Sequence, residues 1–61
     1  MNLYIIQRIK GIAQIGKEYH NITRETARTI VSNMLSNYDN FICTAQSKEE
    51  ANKTCFNLNG F

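Results

Sequence analysis

The sequence has little of the material from which catalytic and metal-binding sites are built. It contains no tryptophan, one histidine (His20) and two cysteines (Cys43 and Cys55). General acid–base catalysis needs a histidine or a carboxylate pair held in a pocket, but His20 stands alone and helix capping explains the adjacent Glu49 and Glu50. A Gly-rich phosphate loop, a nucleophile elbow and a metal-ligand series are all absent. We therefore expect no catalytic, cofactor-binding or metal-binding residues, and a protein that is not an enzyme.

The two cysteines are too few for a disulfide scaffold, and their spacing fits neither a thiol redox pair nor a zinc ribbon. A metal site would require Cys43, Cys55, His20 and a carboxylate to converge. We interpret the cysteines as two small buried hydrophobic residues that stay reduced.

Long apolar runs and strong charge are missing as well. No run of 18 apolar residues exists, and the first residues lack the pattern of a signal peptide, so we expect a cytoplasmic protein without a membrane segment. The net charge is only +2. Residues 1–30 carry five basic and two acidic side chains, and residues 31–61 carry two basic and three acidic ones. This mild asymmetry permits nucleic-acid binding without requiring it.

The length of 61 residues allows one small domain, 1–61, with a core that supplies only a few kcal/mol of net stability. The 43% of hydrophobic residues is enough for such a core. Dimerisation would enlarge this core, so a homodimer is possible.

The segment from Ile22 to Leu35 predicts an amphipathic helix. Thr23 is a suitable N-cap, Glu25 lies in the first turn where the helix dipole favours an anion, and Ile22 can pack on Ala27 as a hydrophobic staple. The apolar stripe has helical spacing and consists of Ala27, Ile30, Val31, Met34 and Leu35.

The rest of the chain predicts three strands and a second helix. Leu3–Arg8 and Phe41–Ala45 have strand composition, and Ser47-Lys48-Glu49-Glu50 matches a capping box that opens a helix over about 48–58. Between them, residues 9–19 are ambiguous: a turn at 9–11 and a strand distorted at Gly16 compete with a helix. Gly11 and Gly16 would each cost such a helix about 1 kcal/mol.

Together these elements predict an α+β fold of order ββαβα, a small three-stranded sheet with both helices on one face. The alternative is a mainly helical helix-turn-helix protein.

That alternative depends on residues 23–31, Thr-Arg-Glu-Thr-Ala-Arg-Thr-Ile-Val. The segment resembles the recognition helix of winged regulators of the cyclic-AMP receptor type. The resemblance implies a DNA-binding transcriptional regulator in which residues at the helix start contact phosphates and base edges in the major groove. The contacting residues would be Thr23, Arg24, Glu25 and Arg28, and Ile15–Tyr19 would supply the first helix.

The preferred hypothesis is a small interaction protein that binds a protein partner, such as a host or regulatory protein, and acts as an inhibitor or regulator. The composition is typical of small products encoded by phages and mobile elements of AT-rich bacteria. The first strand, as a sheet edge, would offer unpaired backbone groups to a partner. Tyrosine and arginine are typical of binding hot spots, so the expected partner-binding residues are Tyr4, Arg8, Tyr19, Arg24 and Arg28.

The two hypotheses differ in the first twenty residues. Strands favour the interaction protein, and a helix from about Lys10 to Tyr19 favours the DNA-binding protein.

Overall fold

The computed structural model describes residues 1–61 and contains three strands and two helices in the predicted order ββαβα. The three-stranded sheet and the α+β class are confirmed, and the mainly helical alternative is wrong. The sheet is antiparallel. The elements are β1 (Leu3–Ile9), β2 (Ile12–Tyr19), α1 (Arg24–Asn37), β3 (Phe41–Ala45) and α2 (Lys48–Asn59).

The ambiguous residues 9–19 form a hairpin with β1. Ile9 pairs with Ile12, and the two loop residues between them, Lys10 and Gly11, have φ angles of 55° and 80°. Two positive φ angles in a two-residue loop define a type I′ turn, whose twist matches that of the flanking strands. The predicted turn is therefore confirmed.

The predicted distortion at Gly16 is a β-bulge. Ile5 pairs with Lys17 and Ile6 with Ile15, which leaves Gly16 without a partner on β1. The buried Gln7 side chain lies over Gly16, so that a Cβ atom built there would be 1.8 Å from Gln7 Oε1. Only glycine leaves room for this close approach.

β1 is the central strand, because the strand order is β2-β1-β3. The expectation that β1 offers an unpaired edge is thus wrong: both of its edges are paired, to β2 and to β3. The free edges belong to β2 and β3. A strand as apolar as β1 is most stable in the middle of a sheet, where both of its faces can be covered.

The two helices cover opposite faces of the sheet, so the prediction that they share one face is wrong. One core cluster joins Tyr4 and Ile6 of β1 to Ala51 of α2. The other joins Leu3 and Ile5 to α1. Alternate residues of a strand point to opposite faces. Ile5 and Ile6 are both 0% exposed, and each contributes about 1.5–3 kcal/mol by burial.

Side-chain caps fix the start of each helix, as the sequence predicts. The Thr26 N–H donates to the Thr23 hydroxyl (3.1 Å), and the Glu50 N–H donates to the Ser47 hydroxyl (3.1 Å). Ile22 packs in the same cluster as Ala27. These contacts set where α1 begins and therefore which of its side chains face the sheet.

The substitution Gly16→Ala tests the contact between β2 and Gln7. We expect it to destabilise the protein by about 1–3 kcal/mol, because Gln7 must leave its position in a packed site. In a Gln7→Ala background the same substitution is expected to cost less, since the colliding side chain is gone. Urea denaturation of the four proteins measures both costs, and equal costs in the two backgrounds would contradict the contact.

Candidate protein-binding groove

An open groove with a volume of about 460 Å³ lies between α1 and the sheet, beside the end of β3. We call it the α1–β3 groove. Its lining combines an apolar floor, two arginines and polar side chains from the end of β3, contributed by Met1, Leu3, Arg24, Ala27, Arg28, Val31, Ser32, Leu35, Thr44 and Gln46.

The apolar part of the groove is a portion of the α1 stripe that the sheet leaves uncovered. Ala27 and Met34 are buried, and Val31 is half-buried, as the predicted stripe requires. Leu35, at the edge of the same stripe, is 67% exposed. Leu35 belongs to the predicted apolar stripe, but the sheet does not cover it.

Arg24 and Arg28 supply the only charged side chains in the groove lining. They lie one helical turn apart on α1, are both exposed, and form no salt bridge; the single contact within salt-bridge distance joins His20 Nε2 to the Glu18 carboxylate (3.3 Å). Glu25 lies beside both arginines on the helix surface but does not line the groove. The groove lining therefore carries two positive charges, neither of them in an ion pair, next to an apolar floor.

The outer edge of β2 pairs with no strand but is covered at Ala13. The Asn59 side chain at the end of α2 accepts from the Ala13 N–H (2.8 Å) and donates to the Ala13 carbonyl (2.9 Å). It thus takes the place of a neighbouring strand at Ala13. The Gly16 bulge and the charged Lys17 further disfavour strand addition to β2.

The edge of β3 is less protected: the Glu50 carboxylate accepts only from the Gln46 N–H, just beyond the strand (3.5 Å). Phe41–Ala45 contains no charged residue, and the outer side of this strand pairs with no other strand. Phe41 pairs with Gln7 of β1 and Cys43 with Ile6, so Ile42 forms a bulge. Regular strand geometry is therefore limited to the second half of β3. That half lies beside the groove, which Thr44 and Gln46 line.

The predicted partner-binding residues do not form one surface. Arg24 and Arg28 line the groove, but Tyr4 is only 5% exposed and lies in the core on the α2 side, edge-on to His20. Tyr19 is half-buried in the α1-side core, and Arg8 lies at the far end of β1, where it reaches the Gly11 carbonyl.

Sequence reasoning missed the contribution of Leu35, Thr44 and Gln46 to this groove. The sequence did contain one indication of an open edge at β3: this strand has no charged residue. Edge strands that avoid pairing usually carry charges or proline.

The helix-turn-helix geometry is absent. Ile15–Tyr19, which had to supply its first helix, belongs to β2. Thr23 is the N-cap of α1, and its hydroxyl contacts both the Thr26 N–H and the Thr26 hydroxyl. Arg24, Glu25 and Arg28 are exposed on a helix that has no preceding helix to cross the DNA backbone.

Cys43 and Cys55 pack against the core cluster between the sheet and α2, half-buried and as free thiols. Burial raises the pKa of the Cys43 thiol above its ordinary value, and the nearby Cys55 and Glu50 raise it further. A raised pKa lowers the thiolate fraction at neutral pH, and the thiolate is the reactive form. No three His, Cys, Asp or Glu side chains of the structure are placed to hold a metal ion.

Comparisons with known proteins add no relative: no family model, no curated protein and no solved structure matches the chain. Neither helix has the length and apolar character needed to cross a membrane.

The exposure of Leu35 can be tested against its neighbour Met34, which is 2% exposed. We expect Met34→Ala to cost about 2–5 kcal/mol, because it leaves a cavity under α1. Leu35→Ser is expected to change stability by less than about 0.5 kcal/mol, because its side chain is already in water. Thermal and urea denaturation measure both, and a large loss for Leu35→Ser would mean that Leu35 is a core residue.

The raised pKa of Cys43 predicts slow alkylation. In a Cys55→Ser variant we expect iodoacetamide at pH 8 to modify Cys43 more slowly in the folded protein than in urea. The rate should rise with pH over a range above that of an ordinary thiol, because the neutral form is favoured in the fold. Equal rates and an unshifted pH profile would contradict this environment.

Proposed function

We propose that the protein acts by binding a protein partner through the α1–β3 groove, as a small non-enzymatic inhibitor or regulator. The observation that carries the proposal is the open, uncharged edge of β3 beside the exposed side chain of Leu35. Leu35 lines the groove together with Thr44 and Gln46 at the end of β3, so a single bound segment could use both features.

An extended segment can add to a free sheet edge as a further strand. Main-chain hydrogen bonds then supply affinity, and pockets for alternate side chains supply specificity. The edge of β3 offers the main-chain groups, and the floor of Leu3, Val31 and Leu35 offers the apolar contact. Neither β1, which is paired on both sides, nor β2, whose edge Asn59 covers at Ala13, offers this combination.

The groove also supports the regulatory role. A domain of 61 residues that binds another protein can inhibit or regulate it by occupying part of its surface. The free thiols of Cys43 and Cys55 suit a reducing compartment, which favours the cytoplasm as the place of the encounter.

The test is a tagged pull-down from lysate of the source cell, run with and without nuclease, on three proteins. Besides the wild type, Leu35→Asp places a charge in the groove. Phe56→Asp is the matched control, because Phe56 is 60% exposed and lies on α2, across the sheet from the groove. Circular dichroism confirms that both variants fold.

We expect the wild type and Phe56→Asp to retain a stoichiometric protein band that survives nuclease, and Leu35→Asp to lose at least nine tenths of it. Retention of the band by Leu35→Asp would refute the groove as the binding surface. Recovery of DNA, with all co-purifying protein lost on nuclease treatment, would refute a protein partner.

A further inference from the structure

Building on the proposed function, we infer that the groove binds an extended acidic segment of the partner protein. The segment pairs antiparallel with the outer edge of β3. Two of its acidic residues, separated by one position, contact Arg24 and Arg28, and an apolar residue two positions further on contacts Val31 and Leu35.

The charge of the groove favours an acidic occupant. Its lining holds two arginines and no acidic side chain, and neither arginine has an ion-pair partner. Arginine binds carboxylates through paired hydrogen bonds, and this contact strengthens when a bound segment displaces water from the groove. A basic segment would instead be repelled from Arg24 and Arg28.

The direction of the segment follows from the direction of α1. Arg24 lines the groove together with Gln46, just beyond the end of β3. The other end of the helix meets the start of the strand, where the Phe41 N–H donates to the Tyr38 carbonyl (3.4 Å). α1 therefore runs antiparallel to β3, and a segment antiparallel to β3 runs in the same direction as α1.

The spacing of the arginines matches that of alternate residues on a strand. Side chains one turn apart on a helix have Cβ atoms about 5–6 Å apart. Residues i and i+2 of a strand, which point to the same face, lie about 6.8 Å apart. Two carboxylates separated by one residue can therefore face Arg24 and Arg28 together.

The apolar position follows from the rise of the helix. Val31 and Leu35 lie about 4.5 and 10.5 Å beyond Arg28 along the helix axis. The next same-face position of the bound strand, about 6.8 Å further on, falls between them. In order, the pattern is acidic, any residue, acidic, any residue, apolar.

A second copy of this chain does not supply the pattern. Its own free edge strand, Phe41–Ala45, contains no acidic residue that could face the arginines. The charge of the groove thus favours a different protein over a homodimer as its occupant.

The probes are three labelled peptides, measured by fluorescence anisotropy. The acidic peptide is Thr-Glu-Thr-Glu-Thr-Leu-Thr, the basic peptide has Lys in place of both Glu, and the reversed peptide is Thr-Leu-Thr-Glu-Thr-Glu-Thr. The protein is used as wild type, as the groove variant Arg24→Glu/Arg28→Glu, and as the control variant Lys48→Glu/Lys53→Glu. The control makes the same change of charge on α2, on the other side of the sheet.

We expect the wild type and the control variant to bind the acidic peptide at least tenfold more tightly than the basic and reversed peptides. The groove variant should prefer the basic peptide. Added salt should weaken the wild-type complex, because the arginine contacts are partly exposed. No binding of the acidic peptide, equal binding of acidic and basic peptides, or an unchanged preference in the groove variant would overturn the inference. Tight binding of the reversed peptide would overturn its direction.

The pull-down separates this inference from the proposed function. If Leu35→Asp loses the lysate partner and the wild-type protein does not bind the acidic peptide, the groove remains the binding surface but its occupant is not an acidic strand. If Leu35→Asp keeps the partner, the proposed function itself fails. A dimer of the protein alone that Leu35→Asp abolishes, measured by sedimentation equilibrium, would assign the groove to a second copy and overturn the inference.

Discussion

Burial of β1 on both faces determines where the other strands and the two helices pack. Leu3, Tyr4, Ile5, Ile6 and Gln7 are consecutive residues, and all of them are buried. A strand whose neighbouring side chains point to opposite sides can be buried in this way only if each face has its own cover. One helix therefore packs on each face, and a second strand pairs along each edge.

The two helices cover the two faces of the sheet to different extents near the sheet edges. The groove lies where α1 leaves apolar side chains uncovered. At its C-terminal end α2 reaches the edge of β2, where Asn59 holds both main-chain groups of Ala13. The other helix contributes buried Ala27 and Met34 to the α1-side core but leaves Leu35 in solvent beside β3. The β2 edge is thus covered at Ala13, whereas the β3 edge stays open and carries the proposed binding activity.

The local parts of the fold could be predicted from the sequence because their causes are local. The caps at Thr23 and Ser47, the turn at 9–11 and the distortion at Gly16 each depend on residues close together in the chain. The order of the strands and the faces that the helices cover depend on contacts between distant segments, and no short pattern encodes them. The apolar residues of β1 fit either an edge strand with a single cover or a central strand, and the interpretation as an edge was wrong. Of the residues in the candidate site, only Arg24 and Arg28 could be predicted. Leu35 has the helical spacing of the apolar stripe, and the sequence does not show that the sheet leaves its side chain exposed.

Backbone amide hydrogen exchange, followed by NMR on the free protein and on its complex with the captured partner, shows whether the β3 edge is open and receives the partner. We expect the Ala13 amide to exchange slowly in both states, because Asn59 accepts its hydrogen bond. The outward-facing amides of β3 should exchange rapidly in the free protein and become protected in the complex. Protection of these amides in the free protein, or their unchanged rapid exchange in the complex, would contradict an open β3 edge that receives the partner.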